Sequence, residues 1–175
     1  MCLYVSDNLN FRIRTDIYAY EVEVMESLFI EIIRSYERNV IVGIIYRPPN
    51  QNVNDFVIRM NDVLGKISRD NKICYLMGDL NLNLLNNQNH NATGEFLDGL
   101  YSHLFFLSIT LPSRITSHTA TLIDNIFSSH VEHSYLRSGL LITDISDHLP
   151  IFSISLDHMR THQRQESLFV RDKSE

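Results

Sequence analysis

The chain has 175 residues, of which 44% are hydrophobic and 21% are charged. This length and composition predict one folded domain and exclude a disordered chain. The net charge of −6 disfavours a protein whose main task is to coat nucleic acid, because that task requires a basic surface. It is compatible with a site that gathers carboxylates around a cation. The two cysteines, Cys2 and Cys74, are too far apart in sequence to indicate a disulfide framework or a zinc site.

Hydrophobic patterning predicts a protein that stays inside the cell. No apolar run approaches the length of a membrane span, and residues 1–7 lack the basic and long apolar regions of a signal peptide. We therefore predict an intracellular protein, nuclear or cytoplasmic, that does not enter a membrane. We expect residues 1–157 to form the domain, and the polar residues 158–175 to form a tail or linker.

The first half of the chain has the pattern of β-strands. Residues 11–17 alternate apolar and polar side chains, as a half-buried strand does. Residues 27–33 are a further strand candidate, with Phe29 and Glu31 on one face and apolar side chains on the other. Residues 40–46 are almost continuously apolar, which is typical of a strand buried on both faces, and Pro48 ends the run. The short links between these strands favour antiparallel pairing.

A helix is predicted after the third strand. Apolar side chains recur at helical spacing over residues 56–67, and Asn54 is the predicted N-cap. A short apolar strand at residues 72–77 follows, and it ends at Gly78-Asp79. The asparagine-rich residues 81–91 are predicted to form a loop.

A second helix and two further strands complete the pattern. Thr93 is the predicted cap of a helix whose apolar face includes Tyr101 and Leu104. Strands are predicted at residues 120–127 and 151–156. Many strands with a few interspersed helices predict an α/β fold, with packed sheets inside and helices outside.

Three segments carry short polar side chains at the end of, or inside, an apolar strand. In extended chain, Asp79 and Asn81 point the same way and suit a bound water, metal or phosphoryl oxygen, but these residues also suit a plain turn. Asp124 interrupts an apolar strand, so it either partners a histidine or faces solvent on an edge strand. Asp147 and His148 are adjacent before the last strand, where they supply an acid and an imidazole, or simply a solvated loop.

Together and in order, these segments resemble the endonuclease/exonuclease/phosphatase superfamily, most closely the endonuclease domain of non-LTR retrotransposon polyproteins. The resemblance covers residues 3–155. The motifs that carry it are Tyr46-Arg47-Pro48-Pro49-Asn50, Gly78-Asp79-Leu80-Asn81, Ile123-Asp124-Asn125-Ile126 and Ser146-Asp147-His148-Leu149-Pro150, with Arg114-Ile115-Thr116 leading to Thr121.

The resemblance implies a DNase I-like, two-sheet α/β sandwich with its active site at one end of the sheets. It implies divalent-metal-dependent hydrolysis of a phosphodiester. Asp79 would orient or deprotonate the attacking water, and Asn81 would help to bind the phosphate. His148 would contact the scissile phosphate while Asp124 holds its ring. Tyr46 would reach toward the phosphate.

The resemblance also implies a cofactor and partners. Asp147 would lie in or near the shell of a Mg²⁺ or Mn²⁺ ion, and Asn125, Ser146 and Arg114 would help to bind substrate. The partner would be DNA, and full-length relatives also carry a reverse-transcriptase domain.

The sequence departs from the family pattern at its start. Relatives begin with a strand that carries an asparagine, then a helix, and then a strand whose glutamate is the principal metal ligand. No glutamate here is a positional match, so we expect an N-terminally truncated domain. Retrotransposon-type DNA nicking is the leading hypothesis. The alternatives are an inactive remnant, or a phosphatase or phospholipase on the same fold.

Overall fold

The computed structural model describes residues 1–21, 23–129 and 136–156 of the chain. The predicted tail, residues 158–175, lies outside these ranges. No helix within them is long and apolar enough to cross a membrane. The strands are β1 (Phe11–Ile13), β2 (Tyr20–Glu21), β3 (Met25–Ile32), β4 (Val40–Tyr46), β5 (Ile73–Asp79), β6 (Phe106–Leu107), β7 (Arg114–Ile115), β8 (Ala120–Thr121), β9 (Asp124–Ser128), β10 (Leu136–Leu140) and β11 (Ile151–Ser155), and the helices are α1 (Val53–Arg69) and α2 (Asn91–Ser102).

One large sheet organises the described part of the chain. Its strand order is β1-β3-β4-β5-β9-β6, with β2 also paired to β3. The β3–β4 pair is antiparallel, as the short link predicts. The β4–β5 pair is parallel, because α1 carries the chain back across the sheet between them. Two further sheets have two strands each, β7–β8 and β10–β11.

The main hydrophobic core lies between the large sheet and the two helices. Phe29 from β3 and Ile45 from β4 are buried there with residues from α1 and α2. The ring centroids of Phe56 and Phe96 lie 5.5 Å apart, and Phe96 meets Phe127 edge-on at 6.0 Å. Each fully buried phenylalanine contributes about 1.5–3 kcal/mol, so this core anchors both helices to one face.

Strand register aligns polar side chains on the opposite face of the large sheet. Glu26 pairs with Tyr46, Tyr46 with Asp79, and Asp79 with Asp124. Directly paired residues project to the same face, so the four side chains form one row at the end of the sheet. The β10–β11 pair covers part of this face, and Tyr75 Oη donates to Ser155 Oγ at 3.1 Å. The fold thus brings motifs that are distant in sequence together at one end of the large sheet.

Both predicted helix starts are wrong by two or three residues. The N-cap of α1 is Asn52, whose side chain accepts a hydrogen bond from the Asn54 backbone N–H at 2.9 Å. The N-cap of α2 is His90, and Thr93 is buried inside the first turn. Several polar residues lie close together at each helix start, and the sequence alone does not show which of them is the N-cap.

The predicted apolar face of α2 is too wide. Tyr101 is exposed, and Leu104 lies beyond the end of the helix and is exposed as well. The helix is amphipathic, and only the residues that face α1 and the sheet are buried. The buried members are Thr93, Phe96, Leu97 and Leu100.

Two predicted strands are shorter than expected, and in one of them side chains replace ladder hydrogen bonds. The strand predicted at residues 120–127 breaks at residues 122–123, between β8 and β9. There the Leu122 N–H donates to Asn83 Oδ1, and the Ile123 N–H donates to Ser113 Oγ, both at 3.1 Å. The strand predicted at residues 11–17 ends at Ile13.

Candidate active site

Asp79 and Asn81 form a tight turn at the end of β5. Asp79 Oδ1 accepts a hydrogen bond from the Asn81 backbone N–H at 2.9 Å. The Asn81 side chain donates to the Arg47 carbonyl at 2.9 Å and approaches Asp79 Oδ2 at 3.3 Å. Asn81 has φ +44°, a left-handed conformation that asparagine tolerates better than most residues. The segment is therefore a turn that also presents a carboxylate and an amide together.

Gly78 allows the two central strands to approach each other just before Asp79. Its φ is +152°, which side-chain-bearing residues rarely adopt. A Cβ atom at this position would overlap the backbone carbonyl of Ile45 on β4. The glycine therefore fixes where β5 ends and where the Asp79 carboxylate emerges.

Asp124 and His148 form a hydrogen-bonded pair. His148 Nδ1 lies 3.0 Å from Asp124 Oδ2, although the two residues are far apart in sequence. Ser113 Oγ donates to the same Asp124 oxygen at 2.8 Å and accepts the Asp124 backbone N–H, also at 2.8 Å. The Ser113 carbonyl accepts the Leu149 N–H at 2.7 Å. The fully buried Ser113 thus holds both the carboxylate and the loop that carries the imidazole.

Three side chains from the separate motifs meet in one cavity. Asp79, Asp124 and His148 each offer a ligand atom, and these atoms lie within 4.8 Å of one another. They line a cavity of about 340 Å³. Burial raises the pKa of Asp79 above its ordinary value, against the Asn81 backbone hydrogen bond, and the charge of Asp124 raises it further. The ionised Asp79 carboxylate is therefore less favourable in this cavity than in water, chiefly because it is partly buried.

The donor set of this cavity fits a divalent cation. Two carboxylates and an imidazole are ligands that such ions accept, and all three side chains are half-buried. The raised pKa of Asp79 is the second sign, because a cation at this place would relieve the burden of two neighbouring carboxylates. Asp79 and Asp124 are the residues that would hold it, while His148 Nδ1 is already engaged with Asp124.

Tyr46 extends the site on its other side. A second cavity, of about 430 Å³, is lined by Tyr46, Glu26 and Asp79 among others. Asp79 lines both cavities, so they adjoin at its side chain, with Tyr46 in one cavity and His148 in the other. The structure therefore brings together all five residues predicted as catalytic: Tyr46, Asp79, Asn81, Asp124 and His148.

Asp147 and Arg114 form an ion pair beside the site. Arg114 Nε donates to Asp147 Oδ2 at 2.7 Å, and this contact lowers the pKa of the Asp147 carboxyl. Ser146 Oγ accepts the His148 backbone N–H at 3.1 Å. All three of the predicted residues lie near the site, but the Asp147 carboxylate is not among the atoms that could hold a metal in the described part of the chain.

Asn125 does not reach the site. It follows Asp124 in β9, so its side chain points to the opposite face of the sheet, where it is fully buried. Its side-chain amide donates to the Ile109 carbonyl at 2.8 Å, and its oxygen accepts the Ile109 N–H at 3.2 Å. These contacts anchor residue 109 to β9, which makes Asn125 a structural residue in this fold.

A larger cavity of about 710 Å³ adjoins the Asp147 side of the site. Its walls are mainly apolar and include Leu111, Pro112 and Ile142, while Thr143 and Asp144 contribute polar atoms. Sequence patterns do not predict this cavity, because its two walls come from loops on either side of β8 and β9. They also miss Ser113, whose importance depends on contacts across the chain.

Solved structures similar to this chain share one fold. The endonuclease domain of TRAS1, a telomere-specific non-LTR retrotransposon, matches with a TM-score of 0.64 and 13% identity over 85% of this chain and 68% of that one. An endonuclease/exonuclease/phosphatase family protein from Leptotrichia buccalis matches with a TM-score of 0.51 and 14% identity, over 85% of this chain and 61% of that one. The catalytic domain of Xenopus laevis APE2 matches with a TM-score of 0.53 and 14% identity, over 75% of this chain and 54% of that one.

The chain therefore has the endonuclease/exonuclease/phosphatase fold, and the α/β fold class predicted from the motifs is confirmed. It spans between 54% and 68% of the lengths of these three structures. The sequence matches no family model and no curated protein.

Proposed function

We propose that this protein hydrolyses phosphodiester bonds in DNA, as a metal-dependent endonuclease of the retrotransposon type. The observation that carries the proposal is the meeting of Asp79, Asp124 and His148 within 4.8 Å in one cavity. A carboxylate that attracts a proton and an imidazole held by a second carboxylate are the groups that an in-line attack of water on phosphorus requires.

Asp79 is the proposed residue that orients the attacking water. Burial raises its pKa in the metal-free site, and a bound cation would favour the ionised carboxylate, which accepts a hydrogen bond from that water. The turn to Asn81 holds one carboxylate oxygen through the 2.9 Å backbone hydrogen bond and leaves the other oxygen the more available for a water molecule. The Asn81 amide lies beside it, where it would help to bind a phosphate oxygen.

His148 is the proposed contact to the scissile phosphate. Its Nδ1 is held by Asp124, so Nε2 is the ring nitrogen left to donate to a phosphate oxygen. The Asp124 carboxylate fixes the orientation of the ring, and Ser113 holds that carboxylate in turn. Tyr46, Arg114 and Ser146 are the proposed contacts to the substrate backbone.

A Mg²⁺ or Mn²⁺ ion is the proposed cofactor, held by Asp79 and Asp124, with Asp147 nearby. When bound, such an ion withdraws charge from the phosphate oxygens and supports the leaving group. Mg²⁺ prefers oxygen ligands and retains several waters, so a site with two carboxylates suits it. DNA is the proposed substrate because residues 114–127 resemble the retrotransposon branch, and the TRAS1 endonuclease domain has a similar fold.

Plasmid nicking tests this proposal directly. The purified chain should convert supercoiled plasmid to the open circular form in Mg²⁺, and EDTA should abolish the reaction. His148→Ala should reduce the rate by at least roughly 100-fold, since it removes the group that stabilises developing charge. His103→Ala is the matched control, because His103 caps α2 and contacts Ser68 rather than the site. Full activity in His148→Ala, or in EDTA, would overturn the proposal.

A comparison of substrates distinguishes an endonuclease from a phosphatase, a phospholipase or an inactive domain. Plasmid, a short oligonucleotide, an inositol phosphate and a phospholipid vesicle should be compared under identical conditions. We expect cleavage of plasmid and oligonucleotide. Hydrolysis of the inositol phosphate or the lipid alone would identify a phosphatase or phospholipase, and a folded chain that cleaves none of them would be an inactive domain.

A further inference from the structure

Arg47 is a buried cation directly behind the candidate active site. It follows Tyr46 at the end of β4, is only 3% exposed, and its guanidinium lies 5.9 Å from the centre of the Phe56 ring. Burial lowers the pKa of this guanidinium, and the charge of Asp79 opposes that effect. No carboxylate within the described ranges forms an ion pair with Arg47. A buried cation without a carboxylate is costly, so its position calls for a physical reason.

The guanidinium binds backbone carbonyls that flank the site. Nη1 donates to the Asn81 carbonyl at 3.0 Å and to the Leu80 carbonyl at 3.4 Å. Nη2 donates to the Gln51 carbonyl, just before α1. The planar fork of arginine suits this arrangement because it directs several donors in fixed directions. One side chain therefore ties the turn after β5 to the start of α1.

The backbone of Arg47 binds the same turn. The Arg47 N–H donates to the Asp79 carbonyl at 3.0 Å, and the Arg47 carbonyl accepts from the Asn81 side-chain amide at 2.9 Å. Together with the guanidinium contacts, Arg47 makes hydrogen bonds to each of Asp79, Leu80 and Asn81. The left-handed φ of Asn81 is uncommon and persists only where neighbours determine it.

We propose that Arg47 is a positioning residue that fixes the Asp79–Asn81 turn in the conformation needed for hydrolysis. This inference rests on the proposed function of the site. Arg47 itself does not touch the substrate, because it lies among the core residues on the helix-covered side. Its guanidinium keeps the Leu80 and Asn81 carbonyls in place, and this determines the directions in which the Asp79 carboxylate and the Asn81 amide project.

Two substitutions and a matched control test the proposal in the full chain. Arg47→Met keeps the length of the side chain and removes every donor, while Arg47→Lys keeps the charge but not the planar fork. Arg59→Met is the control, since Arg59 is an exposed arginine of α1 paired with Glu21. The measurements are urea unfolding, kcat and KM on an oligonucleotide in Mg²⁺, and hydrogen exchange of the Asn81 side-chain amide by NMR.

We expect folded Arg47→Met to lose about 100-fold in kcat, because a small misplacement of reacting groups has an effect of this size. KM should change much less than kcat, because the Asn81 amide is the one proposed substrate contact that the substitution displaces. The Asn81 amide should lose its protection from exchange in parallel. Arg47→Lys should recover part of both kcat and protection, and Arg59→Met should match the unsubstituted chain in both.

A folded Arg47→Met variant with unchanged kcat or a protected Asn81 amide would overturn the proposal. If that variant does not fold, Arg47→Lys decides, and unchanged kcat and protection in Arg47→Lys refute positioning. If neither variant folds, Arg47 is a stability residue only, and the inference fails. If the unsubstituted chain has no hydrolytic activity, the proposed function fails, and the exchange of the Asn81 amide alone tests positioning.

Discussion

Replacing Glu31 with glutamine should remove a large part of the folding stability at neutral pH. Glu31 lies on β3 near the end away from the active site and is completely buried. Its carboxylate accepts hydrogen bonds from Arg12 at 2.8 Å, Arg14 at 3.0 Å and Asn39 at 2.7 Å, and Lys72 Nζ lies 2.8 Å away. Glu31→Gln keeps the shape and removes the charge that these donors surround.

The pKa of Glu31 gives the size of the expected loss in folding stability. Burial alone would raise this pKa, but the hydrogen bonds from Lys72, Asn39 and Arg12 outweigh burial and lower it from 4.5 to about 2. The difference corresponds to about 3 kcal/mol of stability. Because the folded pKa is the lower one, this contribution is fully present above pH 4.5 and is lost as the pH falls toward 2.

Urea unfolding at several pH values between 7 and 2 is the assay. Glu31→Gln should be about 3 kcal/mol less stable than the unsubstituted chain at pH 7, and the gap should close at the acid end. Glu21→Gln is the matched control, because Glu21 is an exposed partner of Arg59 and should cost less than about 1 kcal/mol. A loss below about 1 kcal/mol for Glu31→Gln at pH 7, or a gap that does not change with pH, would refute the reasoning.

Three further predictions concern the site. Ser113→Ala should lower stability by about 2 kcal/mol and slow plasmid nicking, because it removes one of the two hydrogen bonds to Asp124 Oδ2 and the Oγ that accepts the Ile123 and Asp124 N–H groups; urea unfolding and nicking check this, and unchanged values would contradict it. Gly78→Ala should destabilise the fold by at least about 3 kcal/mol, whereas Gly65→Ala should stabilise it by up to about 1 kcal/mol, because a Cβ at this position of α1 would make only an ordinary van der Waals contact with His103; unfolding curves would reveal both effects. In metal-free protein, Asp79 should titrate above its ordinary pKa of 3.8 by carboxyl NMR, because burial disfavours the ionised carboxylate; titration below 3.8 would refute this.

The parts of the fold that could be predicted are those where one strong pattern acts over several residues. The run at residues 40–46 coincides with β4, and residues 151–156 differ from β11 by one residue. Each segment carries a clear apolar pattern of its own, which is an almost continuous run in β4 and an alternation in β11. The strands β6, β7 and β10 are short or mixed in polarity, and they exist because a neighbouring strand supplies hydrogen bonds. Such strands carry little signal of their own.

The candidate site was predictable where residues lie at strand ends and less so inside a strand. Asp79, Asp124 and His148 meet as the motifs predict. Asn125 cannot join Asp124 on the same face, because neighbouring residues in an extended strand project to opposite faces. Strand alternation alone would have excluded Asn125 from the site. The contribution of Ser113, in contrast, depends on a contact between two loops that no periodicity reveals.

The pKa values of two carboxylates at opposite ends of the large sheet are shifted in opposite directions. Near one end, Glu31 is surrounded by arginine, lysine and amide donors, and its pKa falls to about 2. At the other end, Asp79 lies beside a second carboxylate, and burial raises its pKa. Arg47 lies close to Asp79 but directs its donors to backbone carbonyls instead.

The contrast between Glu31 and Asp79 separates a carboxylate that stabilises the fold from one that serves the candidate active site. A carboxylate whose charge the protein already neutralises has little affinity left for a proton or a cation, so Glu31 serves stability. A carboxylate kept short of cationic partners retains that affinity, at the expense of stability. The protein therefore gains its electrostatic stability away from the active site and keeps Asp79 available for a proton or a metal ion.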